Sequence, residues 1–589
     1  MEKETSMADR LVRVNMKSLA ITEEPLPAKW AGFGGRALTS AIVAEEVPPA
    51  SNALGPNNKL VFAGGLLSGS SAPISGRISI GAKSPLTGTI KESNAGGQAC
   101  QIMARLGIRA LVIEDLPQDV AKRYTLEASV NGIKLVECPE LAGLGNYDTV
   151  AKLVAKYGDK KMGYVTIGMA GEWKLTSASI ACTDRELRPT RHAGRGGLGA
   201  VMGSKGLKAI VFDDNGTSMR EPVNKDAFRA ASIKFAKALK EHPVTGQGLP
   251  TYGTNILQNI VNEAGGLPTR NFHTGQFAGA SKISGEVQHD NILARGGEGM
   301  IAHGCHTGCV IKCSRVYTDK DGHYITKGPE YETIWSHGTN CLIDDLDSIA
   351  LMDRMDDDIG LDTIETGAAI GVAMEAGVIE FGDVKGAIGL LEEIRKGTPL
   401  GRILGSGAET TGRCFGVSHV PVVKGQAMPA YDPRSVQGIG VTYATSTMGA
   451  DHTAGYAIAT NILKVGGFVD PLKPEGQVEL SRNLQIATAA IDSTGLCLFV
   501  AFAVLDKPEA FEAIYEMING LYGLNLGPDD VFGLGRSILT TERKFNAAAG
   551  FTNVHDRLPE WMKTEALAPH NVVFGVTDAE LDTVFNFVK

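Results

Sequence analysis

Three cysteines crowd into nine residues, Cys305-His-Thr-Gly-Cys309-Val-Ile-Lys-Cys313. Thiolates are soft ligands that suit an iron–sulfur cluster or zinc. A cubane needs four protein ligands, and Cys497 is the leading candidate for a distant fourth. Structural zinc sites favour paired C-x2–4-C units, and only one such stretch occurs. A radical-SAM cluster needs C-x3-C-x2-C, so it fails on the second gap. Nine cysteines in 589 residues are too sparse for a disulfide scaffold.

A second signature is a repeated aspartate–glycine segment. Asp357-Asp-Ile-Gly360-Leu361-Asp362 matches Asp492-Ser-Thr-Gly495-Leu496-Cys497, and each follows a helix-like stretch. A carboxylate accepts paired hydrogen bonds from the amidine-like edge of a heterocycle. Glycine three residues on lets the backbone approach a flat ring. Taken singly, each segment reads as a capped helix end; the pair, with one copy ending in a cysteine, points to ligand binding.

Arg191-His192-Ala-Gly-Arg195-Gly-Gly197-Leu-Gly-Ala-Val-Met-Gly-Ser-Lys205 resembles a nucleotide loop without being either common one. A P-loop needs Gly-Lys-Ser/Thr, and here the order is Gly-Ser-Lys. A dinucleotide fingerprint follows a strand and opens a helix, whereas this run follows polar Asp184 to Thr190 and leads into strand-like Leu207 to Phe212. What survives is a run of glycine N–H groups with Arg191, Arg195 and Lys205, able to cradle phosphate. Arg77 and the stretch from Ser84 to Gly97, including Asn94 and Gly96, add a second polar patch. Turns with solvated charges remain the competing reading. Glu332, His452 and Tyr431 are acid–base candidates, because a glutamate of raised pKa and a histidine donor complete such a pair.

The elements that must position these residues fall into two textures. Up to Phe212 the chain reads as β-rich, with hairpin patterns at Leu11 to Thr22 and around Asn131-Gly132. Helical periodicity is mostly absent there. After the polar turn Asp213-Asp-Asn-Gly216, helices are expected at Asn224–Glu241, Asp345–Met355, Thr363–Ala376, Asp383–Lys396, Pro474–Ile491, Pro508–Leu521 and Pro528–Thr541, three of them starting on a proline. The expected fold is α+β: a β-rich, two-sheet, sandwich-like cofactor domain at 1–213, then two mainly helical domains at 214–415 and 416–589. No short-period repeat is expected.

Composition excludes several classes. Glycine is high, 72 of 589 residues. With 57 basic and 66 acidic residues the net charge is −9, which disfavours a nucleic-acid binder. The longest apolar run, Cys497 to Leu505, is far short of the roughly 20 residues of a membrane span. The opening Met-Glu-Lys-Glu-Thr-Ser has no apolar signal segment, so a cytoplasmic protein is expected.

Together these motifs resemble the tungsten-containing aldehyde:ferredoxin oxidoreductase family across essentially the whole chain. The resemblance rests on Gly34-Gly-Arg36, Ser75-Gly-Arg77, Ser84-Pro-Leu-Thr-Gly88, Gly194 through Lys205, Gly328-Pro-Glu-Tyr-Glu332, both Asp-x-x-Gly-Leu segments, Glu542-Arg-Lys-Phe-Asn546 and Asp556-Arg-Leu-Pro559. It implies a bis-pterin cofactor whose four dithiolene sulfurs hold tungsten, one pterin on each aspartate–glycine segment. Asn94 and the backbone around Arg191-His192 would meet a magnesium ion bridging the pterin phosphates, with Arg77 nearby. Cys305, Cys309, Cys313 and Cys497 would hold a 4Fe–4S cluster. Members usually show C-x2-C-x3-C, so the C-x3-C-x3-C here leaves His306 as the alternative to Cys305. No Glu-x-x-His, which some members use for an iron between subunits, is read here, so a metal-bridged dimer is not expected.

The implied activity is oxidation of a small aldehyde to a carboxylic acid. Glu332 would act as base, His452 as hydrogen-bond donor and Tyr431 in orienting the substrate. Electrons would leave to ferredoxin or a small iron–sulfur subunit, alone or with a flavin subunit, in a homo- or hetero-oligomer. Two alternatives stand beside it: a reductive enzyme of the same family acting on an aromatic acyl-CoA, and a non-catalytic iron–sulfur electron carrier. The aldehyde, tungsten against molybdenum, and the acceptor are left open.

Overall fold

A computed structural model describes residues 9–588; the opening residues, on which the cytoplasmic expectation rests, lie outside that range. The chain is α+β, as expected, with two six-stranded sheets before residue 214 and mainly helices after it. Among the described residues no helix is long and apolar enough to cross a membrane.

The first sheet contains β1 (Arg10–Asn15), β2 (Ala20–Pro25), β3 (Leu60–Gly64), β4 (Ile78–Lys83), β5 (Ile90–Ala95) and β6 (Ile108–Glu114) in the order β2-β1-β6-β3-β4-β5. The second contains β7 (Tyr124–Ser129), β8 (Gly132–Glu137), β9 (Met162–Thr166), β10 (Ile180–Cys182), β11 (Arg191–Ala193) and β12 (Leu207–Asp213) in the order β11-β10-β9-β12-β7-β8. Read from the hairpin end, the two orders are the same. In each the last strand runs parallel to the first (β6 on β1, β12 on β7) and antiparallel to the third. Helices repeat too: Gly35–Glu46 (α1) and Asn146–Tyr157 (α3) follow the hairpins, while Ala99–Arg105 (α2) and Leu198–Ser204 (α4) lead into the last strands. The N-terminal block is thus one βαβ-rich unit made twice.

These helices correct the expectation that helical periodicity is absent here. All seven residues of α4 are buried, and so are eight of the 12 in α1, which leaves no polar face to read; α3 differs, with Val150 and Leu153 buried against exposed Asp148, Lys152 and Lys156, and does carry the helical period. They also amend the sandwich. Leu60, Phe62, Leu111 and Ile113 of one sheet and Val165, Ile180, Ile210 and Phe212 of the other face a single core, with Ile102 and Met103 of α2 and Val201 and Met202 of α4 between them. The alternate residues Val61, Ala63, Ala110 and Val112 face outward under α1, and Tyr164, Ala209 and Val211 under α3. Both faces of each central strand are covered, which is why these strands read as continuous apolar runs. At the far edges, β5 and β11 meet.

The second half adds Lys225–Glu241 (α5), a small sheet of β13 (Met300–His303), β14 (Ser314–Thr318) and β15 (Tyr324–Lys327), then Tyr331–His337 (α6), Leu346–Ile359 (α7), Thr363–Glu375 (α8), Gln477–Asp492 (α9), Pro508–Tyr522 (α10) and Pro528–Ala548 (α11). The last two begin on proline as expected, whereas α9 starts at Gln477, beyond Pro474. Phe228 and Phe235 of α5 share a core with Ile514 and Met517 of α10, and Trp335 shares another with Ile439 and Phe574.

Each sheet grips the end of one helix from this half. After α7, Gly360 turns left-handed at φ 85°; its carbonyl accepts from Ser179 N at 2.9 Å, and Asp362 N donates to Ser177 O at 2.9 Å. After α9, Gly495 takes φ 84°, its carbonyl accepts from Arg77 N at 3.0 Å, and Leu66 N and Leu67 N donate to Ser493 O and Thr494 O. Ser179 and Arg77 directly precede β10 and β4, so the two contacts are equivalent in the duplicated unit. The approach is close enough to require glycine. A Cβ on Gly65 would lie 1.9 Å from Gly495 N, and one on Gly168 would lie 2.1 Å from Ile359 O.

Alanine at either glycine forces backbone apart at a buried junction. Gly65→Ala and Gly168→Ala are each expected to destabilise the protein by about 1–3 kcal/mol, read as a lowered thermal midpoint. Gly389→Ala, on helix Val384–Lys396 with nothing within 4 Å, is expected to raise it slightly. An unchanged midpoint in both buried variants would refute the docking argument.

Candidate active site

A cavity of about 590 Å3 opens where β5 and β11 meet, closed on its other sides by the ends of α7 and α9, the cysteine loop and α6. Its floor is the duplicated unit seen twice. Asn94, near the end of β5, and Gly96, on the way to α2, line one half; His192 in β11 and Gly194, on the way to α4, line the other. The glycine-rich run around Arg191 therefore does follow a strand and open a helix, contrary to the sequence reading; β11 is three residues long and too polar to show.

The symmetry extends to the aspartates. Asn94 Nδ2 donates to Asp492 Oδ1 at 3.4 Å, and His192 Nε2 lies 3.2 Å from Asp357 Oδ1. Each aspartate has one cation behind it. Lys327 Nζ bonds both Asp357 oxygens at 2.8 and 2.7 Å, and Arg36 Nη1 lies 3.3 Å from Asp492 Oδ2. Arg36 is anchored in turn by a bidentate pair with Glu542, at 2.9 and 2.8 Å. Burial pushes Asp357 up against the pull of Lys327, and Asp492 up to about 6 against that of Arg36. Two dry carboxyls at matched turns suit hydrogen bonding to a heterocycle edge. Burial also takes His192 down to about 3, so its ring is neutral, with Nδ1 on Ser179 Oγ at 2.7 Å and Nε2 on Pro189 O at 3.0 Å.

The cysteine loop breaks the symmetry, because it sits on one half only. It joins β13 to β14 and lies over Ser75–Arg77 and Asn94–Gly97. A Cβ on Gly96 would come 2.8 Å from Cys305 Sγ, and one on Gly76 would strike the His306 ring. All four cysteines line the cavity, as does His306 with Nε2 unpartnered. Arg77 lies among the sulfurs, donating from Nη2 to Cys497 Sγ at 3.4 Å. Among the described residues, no three cysteine sulfurs lie within 4.8 Å of one another.

The acid–base candidates meet on the opposite wall. Glu332, in the first turn of α6, accepts from Ala430 N at 3.0 Å through Oε2, and its Oε1 has no hydrogen-bond partner. His452 Nε2 lies 3.4 Å from that free oxygen, and His452 Nδ1 is also unpartnered. A helix start favours the charged carboxylate by at most about 1 kcal/mol at ordinary exposure. Burial outweighs it and the Ala430 bond, and pushes Glu332 up to about 8. Burial likewise lowers His452 to about 4 despite neighbouring Asp451. Burial would raise Asp451 itself, but Lys91 at 2.9 Å and Arg195 hold it well below the usual carboxylate range. At neutral pH the Glu332–His452 pair thus carries one proton and no net charge. Tyr431 stacks at an angle on His452, 6.0 Å between centroids, and its hydroxyl pairs with Tyr456 at 2.7 Å.

Of the residues singled out from sequence, Arg195, Leu361 and Asp362 also line the cavity, but Arg195 is committed to Asp362, Ala450 O and Ala427 O. Gly360, Gly495 and Leu496 shape the turns from behind. Gly197 caps α4 out of reach, at φ 73°. Lys205 lies elsewhere: it is fully buried, with its ammonium on Asn58 O at 2.6 Å and Asp115 O at 3.2 Å, so it cradles no cofactor in this cavity. One Glu-x-x-His does occur, contrary to the sequence reading. Glu286 and His289 lie outside the cavity on helix Gly285–Arg295, engaged with Asn259 and Asp290. Sequence reasoning missed Lys327, Glu92, Asp451 and Tyr456; only Asp451, beside His452, carried any local signal.

Sequence profiles of the aldehyde ferredoxin oxidoreductase N-terminal domain and of its domains 2 and 3 match residues 11–214 and 230–585. The chain is 34% identical over 580 residues to a tungsten-containing aldehyde ferredoxin oxidoreductase of Pyrococcus abyssi, covering 95% of this chain and 92% of that one. It is 34% identical over 568 residues to that of Thermococcus kodakarensis, covering 93% and 90%. The fold is shared with the active-site complex of benzoyl coenzyme A reductase with bound 1,5-dienoyl-CoA, at TM-score 0.80 and 17% identity over 98% of this chain and 93% of that one. With matching profiles over nearly its whole length, this chain belongs to the aldehyde ferredoxin oxidoreductase family.

Proposed function

We propose that this protein oxidises an aldehyde with water to a carboxylic acid, releasing two electrons and two protons. The observation that carries the reading is the Glu332–His452 pair, held 3.4 Å apart on the wall of a cavity whose floor is a matched pair of aspartate turns. In this reading Asp357 to Asp362 and Asp492 to Leu496 each hold one pterin of a tungsten cofactor. Asn94 and the backbone at Arg191-His192 would hold a magnesium ion that neutralises phosphate charge. The cavity fits such a group: Arg77 Nε, Arg191 Nε and Nη2, and Glu92 Oε1 are buried around it without partners, and buried polar atoms normally have them. Three cysteines on one loop, with Cys497 across the same cavity, suit a 4Fe–4S cluster on Cys305, Cys309, Cys313 and Cys497, with His306 as the alternative to Cys305. When bound, the tungsten centre would take up the two electrons, and the cluster would pass them singly to ferredoxin or an iron–sulfur partner subunit.

The chain's own residues manage the protons. Glu332 in its charged form takes a proton from water or from the hydrated aldehyde. His452, kept neutral, donates an N–H bond towards the substrate oxygen as charge builds there. Tyr431, fixed by Tyr456, orients the substrate beside them.

Purified protein is expected to contain two pterins and four irons per tungsten; iron without pterin would leave only an electron carrier. Glu332→Gln is expected to lower kcat about 10²–10⁴-fold with tungsten retained, and near-normal turnover would reject its role. The sign of the pH dependence follows from burial. Below about 8 Glu332 is protonated and unable to act as base, so kcat should rise with pH and level off above about 8. A wild-type profile flat from pH 6 to 9 would count against Glu332 as the titrating base. With a viologen dye, benzaldehyde should be oxidised and benzoyl-CoA left unreduced; the reverse would favour the reductive alternative.

A further inference from the structure

From the acid–base pair a ladder of aromatic rings leads away through the same cavity. His452 and Tyr456 meet edge to face at 6.0 Å between centroids, Tyr456 and Phe502 at 6.0 Å, and Phe502 stacks with Phe499 at 6.3 Å. Tyr456 is the joint: its hydroxyl holds Tyr431 at the reactive end, and its ring begins the apolar arm. Leu498, Phe499 and Phe502 lie within five residues after Cys497, so the arm is built just beyond the turn that docks α9 to the first sheet.

Charge is confined to the other walls. The cations lining the cavity are Arg36, Arg77, Arg191, Arg195 and Lys327, and none belongs to the ladder. Arg36, Arg195 and Lys327 are paired with carboxylates, and Arg77 with Cys497. A phosphate or carboxylate pushed along the ladder would be buried with no partner, which is strongly unfavourable. A flat apolar group there would lie against aromatic rings, which it can meet edge to face or stacked.

The geometry points to Tyr456 and Phe502 as the specificity-determining residues of this enzyme, selecting aldehydes whose far end is uncharged and aromatic. The inference rests on the proposed aldehyde oxidation and deepens it. Tyr456 acts on selectivity through its ring and on turnover only through the hydroxyl that positions Tyr431.

The test compares kcat/KM of the tungsten-loaded enzyme for benzaldehyde, acetaldehyde and succinic semialdehyde, with calorimetric binding of benzoate as a readout independent of turnover. Benzaldehyde should exceed acetaldehyde at least about tenfold, and succinic semialdehyde should stay near background. Tyr456→Ala and Phe502→Ala should each cut the benzaldehyde preference and weaken benzoate binding about tenfold, with tungsten and iron contents unchanged. Tyr456→Phe should keep both and lower kcat. Equal use of the three aldehydes, or unchanged preference and benzoate binding in both alanine variants, would overturn the assignment. Should no aldehyde be oxidised, the proposed function falls, and benzoate binding that is intact in wild type and weakened in the variants would still uphold the pocket.

Discussion

The arrangement depends on backbone meeting backbone. Two helix ends, after α7 and α9, are pinned to the loops before β10 and β4 by hydrogen bonds of 2.9–3.1 Å to left-handed glycine turns. Nothing but glycine fits at Gly65 and Gly168, where a Cβ would stand about 2 Å from the opposing chain. Such bonds are insensitive to side-chain rotamers and to pH. They fix Asp357 and Asp492 relative to the duplicated floor before any charge interaction is counted. The side-chain contacts Asn94–Asp492 and His192–Asp357 then follow from that geometry.

On that frame the electrostatics are arranged in compensated groups. Taking a carboxylate out of water is expensive, and an ion pair recovers the penalty only with good geometry and further hydrogen bonds. The bidentate Arg36–Glu542 pair, with Ser40 and Thr447 on the same carboxylate, meets that condition, as does Lys327 between Asp353 and Asp357. Glu92 and Glu332 both depart from that rule, and Glu332 is the one on the acid–base wall. It has one N–H donor and a free oxygen facing an imidazole that burial has already neutralised. A carboxyl left without a cation in a dry site keeps its proton to an unusually high pH. That is a cost to the fold and a condition for acid–base work near neutrality.

Much of this site was legible in the chain because its chemistry is written in short, local segments. The cysteine loop, the paired Asp-x-x-Gly-Leu segments and Glu332 each declare themselves within a dozen residues. What stayed hidden is non-local. Lys327 and Arg36 gain meaning only once folding sets them behind Asp357 and Asp492, and Tyr456 only when it closes on Tyr431 and Phe502. Lys205 misled because a lysine after a glycine run suggests an anion, whereas it ends α4 and points to two carbonyls. The buried helices α2 and α4 have no polar face, and β11 has three residues. Neither helix nor strand offers a period to detect.

The duplication of the floor and that of the aspartate segments have different consequences. The floor repeats its topology with little sequence likeness, because a sheet covered on both faces constrains volume and alternation more than identity. The aspartate segments keep their letters, because a carboxylate, a left-handed turn and an apolar anchor at fixed spacing have few substitutes. A two-fold floor beneath two like turns would by itself give two equivalent half-sites. The cysteine loop ends that equivalence by resting on Gly76 and Gly96 of the first unit alone. In the second unit Gly168 and Gly194 serve other contacts, with Ile359 and Asp362. The asymmetry of the site is therefore set by which copy of the floor receives the loop.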